Sequence, residues 1–247
     1  MSSVLQDTNE LANTNKSQVK RIHRISDMAE VESFTNNELK SKKILTRDGS
    51  KKQLLNIFRG LRTTLHKQVG DCNYVCVITS VMSGCGSSYI VNNLAAAIAL
   101  DELKSVLIVD CNIHDPSAQN LLTTDYQFGL TDYLSDEQMV TEEIIYATGI
   151  PRVRVVPVGT NRENGAELFS NFRMHDFINE ITQRYKDRFI IIDAPPAGEF
   201  AAEARILSDM ADFTLLVVAF GKVTAQQVKA AAEAIAPKKL IGTIFNN

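Results

Sequence analysis

A chain of 247 residues is long enough for one large α/β domain with a full core, or at most two small ones, and its 45% hydrophobic and 22% charged residues are those of a soluble globular protein. A net charge of −3 supplies no basic field for nucleic acid, and no apolar run approaches the length of a membrane span. The N-terminus lacks a signal-peptide core and the four cysteines form no disulfide framework, so a cytoplasmic protein with free thiols is expected.

Residues 1–45 are rich in Asn, Ser, Thr, Lys and Glu, which predicts a flexible polar N-terminal arm with room for a short helix. Its basic residues Lys16, Lys20, Arg21 and Arg24 read as a solvated face. Residues 46–247 are expected to form the α/β domain. From Gln53 to Gln68, Leu54, Leu55, Phe58, Leu61 and Leu65 recur at three- and four-residue steps, the stripe of an amphipathic helix. Arg59 and Arg62 share a face beside that stripe, either as solvated charges or as a paired fork at an interface.

A buried strand is predicted at Val75 to Thr79, a small-residue turn at Ser80 to Ser88, and a helix from there to about Leu100. Further strands are predicted at Val106 to Val109, Val153 to Val158, Phe189 to Ile192, Thr214 to Phe220 and Leu240 to Phe245. Helical segments are expected around Asn120 to Leu122, from Phe128 to Leu134, over most of Ala166 to Arg188, and at Ala201 to Met210 and Ala225 to Ile235. Apolar strands alternating with helices predict a doubly wound, mainly parallel sheet covered on both faces, with its ligand crevice beyond the strand C-terminal ends.

Three of those ends carry chemistry. Ser83, Gly84, Cys85, Gly86, Ser87 and Ser88 are six small residues in a row, able to converge backbone N–H groups at a helix N-terminus where an anion is favoured. A nucleotide phosphate is the usual occupant of such a turn. The P-loop pattern G-x-x-x-x-G-K-[ST] is incomplete, with Val81 for its first Gly and Ser87 for its Lys, while Ser88 keeps the metal-binding hydroxyl. Asp110 and Asp193 each follow a predicted strand. A single such Asp is usually an N-cap, but two flanking a phosphate turn point to a metal site. Cys85 at the helix N-terminus, with Cys111 and His114 after the neighbouring acid, suggests a reactive thiol or a small metal site against the plainer reading of buried cysteines.

In order along residues 50–247, these segments resemble the cytoplasmic kinase domain of bacterial tyrosine autokinases that control capsule and exopolysaccharide synthesis, within the MinD/ParA-like deviant P-loop ATPases. IFRGLRTTL resembles the helix with the interface motif E-x-x-R-x-x-R. Arg59 and Arg62 match its arginines and Asn56 replaces its acid. ITSVMSGCGSSYIVNNLA resembles the Walker A segment, VLIVDCNIHDPS the second acidic motif and FIIIDAPP the Walker B strand, while GLTDYL, VPVGTNRENGAEL and GTIFNN also fit. Against the family pattern, Ser87 replaces Lys, Asn112 and His114 replace the later residues of D-x-D-x-R, and no Tyr cluster follows the last strand.

The resemblance implies that Ser83, Gly84, Cys85, Gly86, Ser87, Ser88, Tyr89 and Asn246 bind ATP or ADP weakly, with Ser88, Asp110 and Asp193 holding Mg2+. Asp110 and Asp193 are also the catalytic candidates if the protein is active. The function implied is that of a catalytically weakened regulatory member of the family, a pseudokinase recruited to the inner face of the membrane. It would act with a membrane chain-length determinant (a polysaccharide co-polymerase) and assemble with itself or with an active paralogue. The alternatives are an active autokinase using an unusual P-loop and tyrosines such as Tyr126 or Tyr133, and a MinD/ParA-type positioning ATPase.

Overall fold

The computed structural model describes residues 33–46, 52–70, 73–184 and 187–247. Lys16, Lys20, Arg21, Arg24, Cys72 and Tyr185 lie outside them. Helices α1 (Asn36–Ser41), α2 (Lys52–Val69), α3 (Ser87–Ala99), α4 (Leu130–Ser135), α5 (Gly165–Ser170), α6 (Phe172–Arg184), α7 (Ala201–Met210) and α8 (Ala225–Ala234) surround a single sheet. Its strands are β1 (Val75–Ser80), β2 (Ser105–Asp110), β3 (Tyr146–Ala147), β4 (Val153–Val156), β5 (Arg188–Asp193), β6 (Phe213–Ala219) and β7 (Leu240–Asn246).

The sheet order is β3-β4-β2-β5-β1-β6-β7, and every pair is parallel except β3 with β4. Successive side chains on a strand point to opposite faces, so continuous apolar strands need cover on both sides. Cys76, Ile78, Val106, Ile108, Phe189 and Ile191 pack on one face with Leu55, Phe58 and Leu65 of α2 and Leu94 and Ile98 of α3. Val77, Leu107, Val109, Ile190 and Ile192 pack on the other with Leu130, Phe169, Phe177 and Leu207. The doubly wound sheet expected from the strand pattern is present. Among the described residues no helix is long and apolar enough to cross a membrane.

Three local readings change. The third predicted strand ends at Val156 and gains the antiparallel partner Tyr146–Ala147, too short to carry a period. The largely helical stretch expected over Ala166 to Arg188 holds two helices, and Arg188 already belongs to β5. The break falls at Asn171, whose extended backbone caps α5 and whose side-chain oxygen accepts from the Arg173 N–H.

The expected boundary after residue 45 falls inside the core. Ile44 and Leu45 are buried, and α1, closed by a Thr35/Glu38 capping box, packs with them on the domain. Asn93, buried in α3, makes this attachment. Its Oδ1 accepts from the Leu45 N–H at 2.9 Å, and its Nδ2 donates to the carbonyls of Lys43 at 3.1 Å and Tyr89 at 2.9 Å. A polar side chain satisfied this fully joins segments that no periodicity connects.

Candidate nucleotide and metal site

β1 is the central strand between β5 and β6, and it ends at Ser80. The chain then turns through Gly84 at φ +75° and Gly86 at φ +87°, left-handed values that glycine adopts without a steric penalty. Gly86 is the N-cap of α3 and offers no side chain, so the first amides of the helix have no side-chain cap. The small-residue run thus links β1 to α3 through a strand–turn–helix, the geometry that an anion cradle requires.

Asn246, at the end of β7, closes one wall of this turn. Its Nδ2 donates to the Cys85 carbonyl at 2.9 Å and stands 2.3 Å from where a Cβ at Gly86 would lie. The side chain expected to contact a nucleotide is therefore hydrogen-bonded to the turn itself. Tyr89 also departs from expectation, because its ring packs edge-on against Phe58 of α2, centroids 6.3 Å apart. Its side chain belongs to the α2–α3 packing, and burial raises the phenol pKa.

Parallel pairing of β2 with β5 sets Asp110 directly beside Asp193 in register, both buried. Asp110 accepts three backbone N–H groups, from Asn112 at 3.1 Å, Ser117 at 2.8 Å and Ala118 at 2.9 Å. Burial nevertheless pushes its pKa up to about 6, with those amides pulling the other way. Asp193 is driven well above the usual carboxylate range, first by burial and then by the Asp110 charge, and the Ser88 hydroxyl offsets part of the rise. Its Oδ1 is buried without a hydrogen-bond partner.

An orphaned carboxylate oxygen facing a second buried acid is the electrostatic shape of a cation site. Among the described residues no three His, Cys, Asp or Glu side chains converge. A magnesium ion here would be held by Asp193, Asp110 and the Ser88 hydroxyl, and would supply positive charge beside a bound phosphate. The residues fit that ion. The turn fits a phosphate through its backbone, without the cation a P-loop normally adds.

No family model matches the chain. The tyrosine-protein kinase YwqD of Bacillus subtilis is 31% identical over 192 residues, covering 76% of this chain and 79% of that protein. The chain belongs to the bacterial tyrosine-protein kinases. The kinase domain of the Escherichia coli tyrosine kinase ETK superposes with a TM-score of 0.74 at 24% identity, covering 89% of this chain and 82% of that one. The cell-division ATPase MinD of Pyrococcus furiosus shares the fold more distantly, with a TM-score of 0.56 at 22% identity over 69% of this chain and 70% of that one.

Within this kinase fold, the arginines of the interface-like motif separate. Arg59 is exposed, while Arg62 turns inward and donates from Nη1 to the Ala97 carbonyl at 3.0 Å near the end of α3. The two do not form a fork. The cysteine idea also fails on geometry. Cys85 is buried, and Cys111 sits in the core with its thiol pushed well up by burial. His114 instead pairs through Nε2 with Glu203 at 3.0 Å and stacks on Phe200, with centroids 3.5 Å apart.

Two acids at this end of the sheet carry no sequence motif. Glu199 accepts from both the N–H and the hydroxyl of Ser83, each at 3.0 Å, and Glu203 holds His114. Neither has a periodic signal. The parallel pairing of β1 with β5 is what brings the loops after these strands together.

Proposed function

We propose that this protein is a catalytically weakened, regulatory tyrosine kinase of capsule or exopolysaccharide biosynthesis. In this reading it resides in the cytoplasm and is held at the inner membrane face by a chain-length determinant, alone or in mixed oligomers with an active paralogue. One observation carries it. Ser87, the first residue of α3, occupies the place where the family pattern has Lys, while the glycine turn and the acid pair around it remain.

Phosphoryl transfer is mainly positioning plus stabilisation of developing negative charge. A charge-assisted contact to phosphate contributes about 1.5–3 kcal/mol, and losing a donor aimed at developing charge lowers a rate on the order of a hundredfold. Asp110, Asp193 and Ser88 would still hold magnesium, and the turn amides a phosphate. Weak binding of MgATP or MgADP with little turnover is the outcome that this combination supports. The use of Tyr133 as a phosphoacceptor finds no support, since its ring is buried with the Arg173 guanidinium 4.3 Å from its centroid.

Autophosphorylation with labelled ATP and magnesium, beside an active relative such as YwqD, is the direct test. Incorporation within about a decade of the active enzyme would sink this reading. Calorimetry with and without magnesium separates weak binding from none. Co-isolation with the co-polymerase's cytoplasmic segments tests the partner, and a protein that never leaves the soluble fraction when they are co-expressed would remove it.

A further inference from the structure

The loop after β5 is strapped to the phosphate turn. Thr79 Oγ1 donates to the Pro195 carbonyl at 2.7 Å, and the Ala197 N–H donates to the Ser80 carbonyl at 2.8 Å. At Gly198 a Cβ would lie 2.3 Å from the Val81 carbonyl oxygen, an approach of two backbones that only glycine permits. This approach delivers Glu199 onto Ser83, where its two oxygens accept from the N–H and the Oγ. Immediately beyond, Phe200 stacks on His114 and Glu203 pairs with it, so the strap is anchored on both sides of the crevice.

We propose that Glu199 is a specificity-determining residue of this site. It serves as an internal anion at the first amide of the Ser83–Ser88 run and penalises ligands according to their phosphate charge. The inference rests on the proposed reading of the turn as a nucleotide-phosphate site and deepens it. Replacement of Lys by Ser removes attraction, whereas Glu199 adds repulsion. Like charges close together near a protein surface oppose each other, and salt screens that repulsion. Phosphate-poor nucleosides are then tolerated, and triphosphates are disfavoured beyond the effect of the missing Lys.

The test uses the full chain and Glu199→Gln, which keeps the shape and can still accept from the Ser83 N–H. Calorimetric titration with adenosine, AMP, ADP and ATP, the last two with magnesium, is run at low and high salt. The expected result is no change for adenosine and a gain that grows along the series to about tenfold for ATP at low salt. That gain should shrink at high salt. Glu199→Asp, which keeps the charge, should retain the wild-type penalty. An equal gain for adenosine, a gain indifferent to salt, or no gain at all, including no binding by either protein, would overturn the assignment. Thermal melting of each variant confirms that it is folded. Robust autophosphorylation by the wild type would sink the weakened-kinase reading, while the ratio between Glu199→Gln and wild type judges Glu199 separately.

Discussion

The phosphate turn and the acid pair share one crevice and have diverged in opposite senses. At the turn, Ser87 stands where the family pattern has Lys, and Ser83 holds the Glu199 carboxylate. At the acid pair, Asp110 and Asp193 remain buried side by side with one oxygen unpartnered. In the proposed reading, a cation site persists beside an anion site that has lost its cation. Scaffold geometry and local charge are separable: backbone conformation at Gly84 and Gly86 shapes the cradle, and single side chains decide what it attracts.

Restoring the missing charge should break the contrast most strongly. Ser87→Lys is expected to raise MgATP affinity by about 10- to 100-fold, from a phosphate contact of about 1.5–3 kcal/mol. Calorimetry reads this directly, and a change below threefold would show that the cradle no longer presents its amides to phosphate. A smaller effect is expected from the other side of the crevice. Asp193→Asn should abolish magnesium-dependent stabilisation while raising the metal-free stability by about 1–2 kcal/mol, because it removes one of two facing buried charges. Urea denaturation with and without magnesium measures both changes, and a destabilised metal-free variant would contradict the orphaned-acid account.

Acidification should give a gentler version of the same result. Both acids have folded-state pKa values above those of the unfolded chain, so below pH 4 both states are protonated and the pair is neutral to stability. Above about pH 4 the unfolded chain ionises while the buried native acids keep their protons, so the pair's contribution falls as pH rises, for Asp110 until about 6 and for Asp193 beyond it. Metal-free protein should therefore gain stability between pH 7.5 and 5.5, with magnesium-induced stabilisation fading over the same interval. A stability that only falls on acidification in Asp193→Asn but not in wild type would fit this assignment; identical profiles would not. The smallest effect concerns the turn's thiol. Cys85 is 1% exposed and should react with a thiol reagent only as the protein unfolds.

Local order along the chain determined most of the fold and the outline of the site. β-Branched apolar runs specified the central strands, three- and four-residue spacing specified α2, and a run of small residues marked the turn after β1, although its last two, Ser87 and Ser88, already belong to α3. The acid after each of two strands was legible as well, because a parallel sheet places such ends at one edge. Tertiary structure alone decided how the site is wired. Asn246 reaches Cys85 across 161 positions, Glu199 reaches Ser83 across 116, and Asn93 ties down Lys43 and Leu45 from about 50 positions away. Arg62 points to Ala97 rather than outward for the same reason. Periodicity reports which face of an element is apolar. The polar partner a side chain meets depends on strand order and loop return, and neither is written in local spacing.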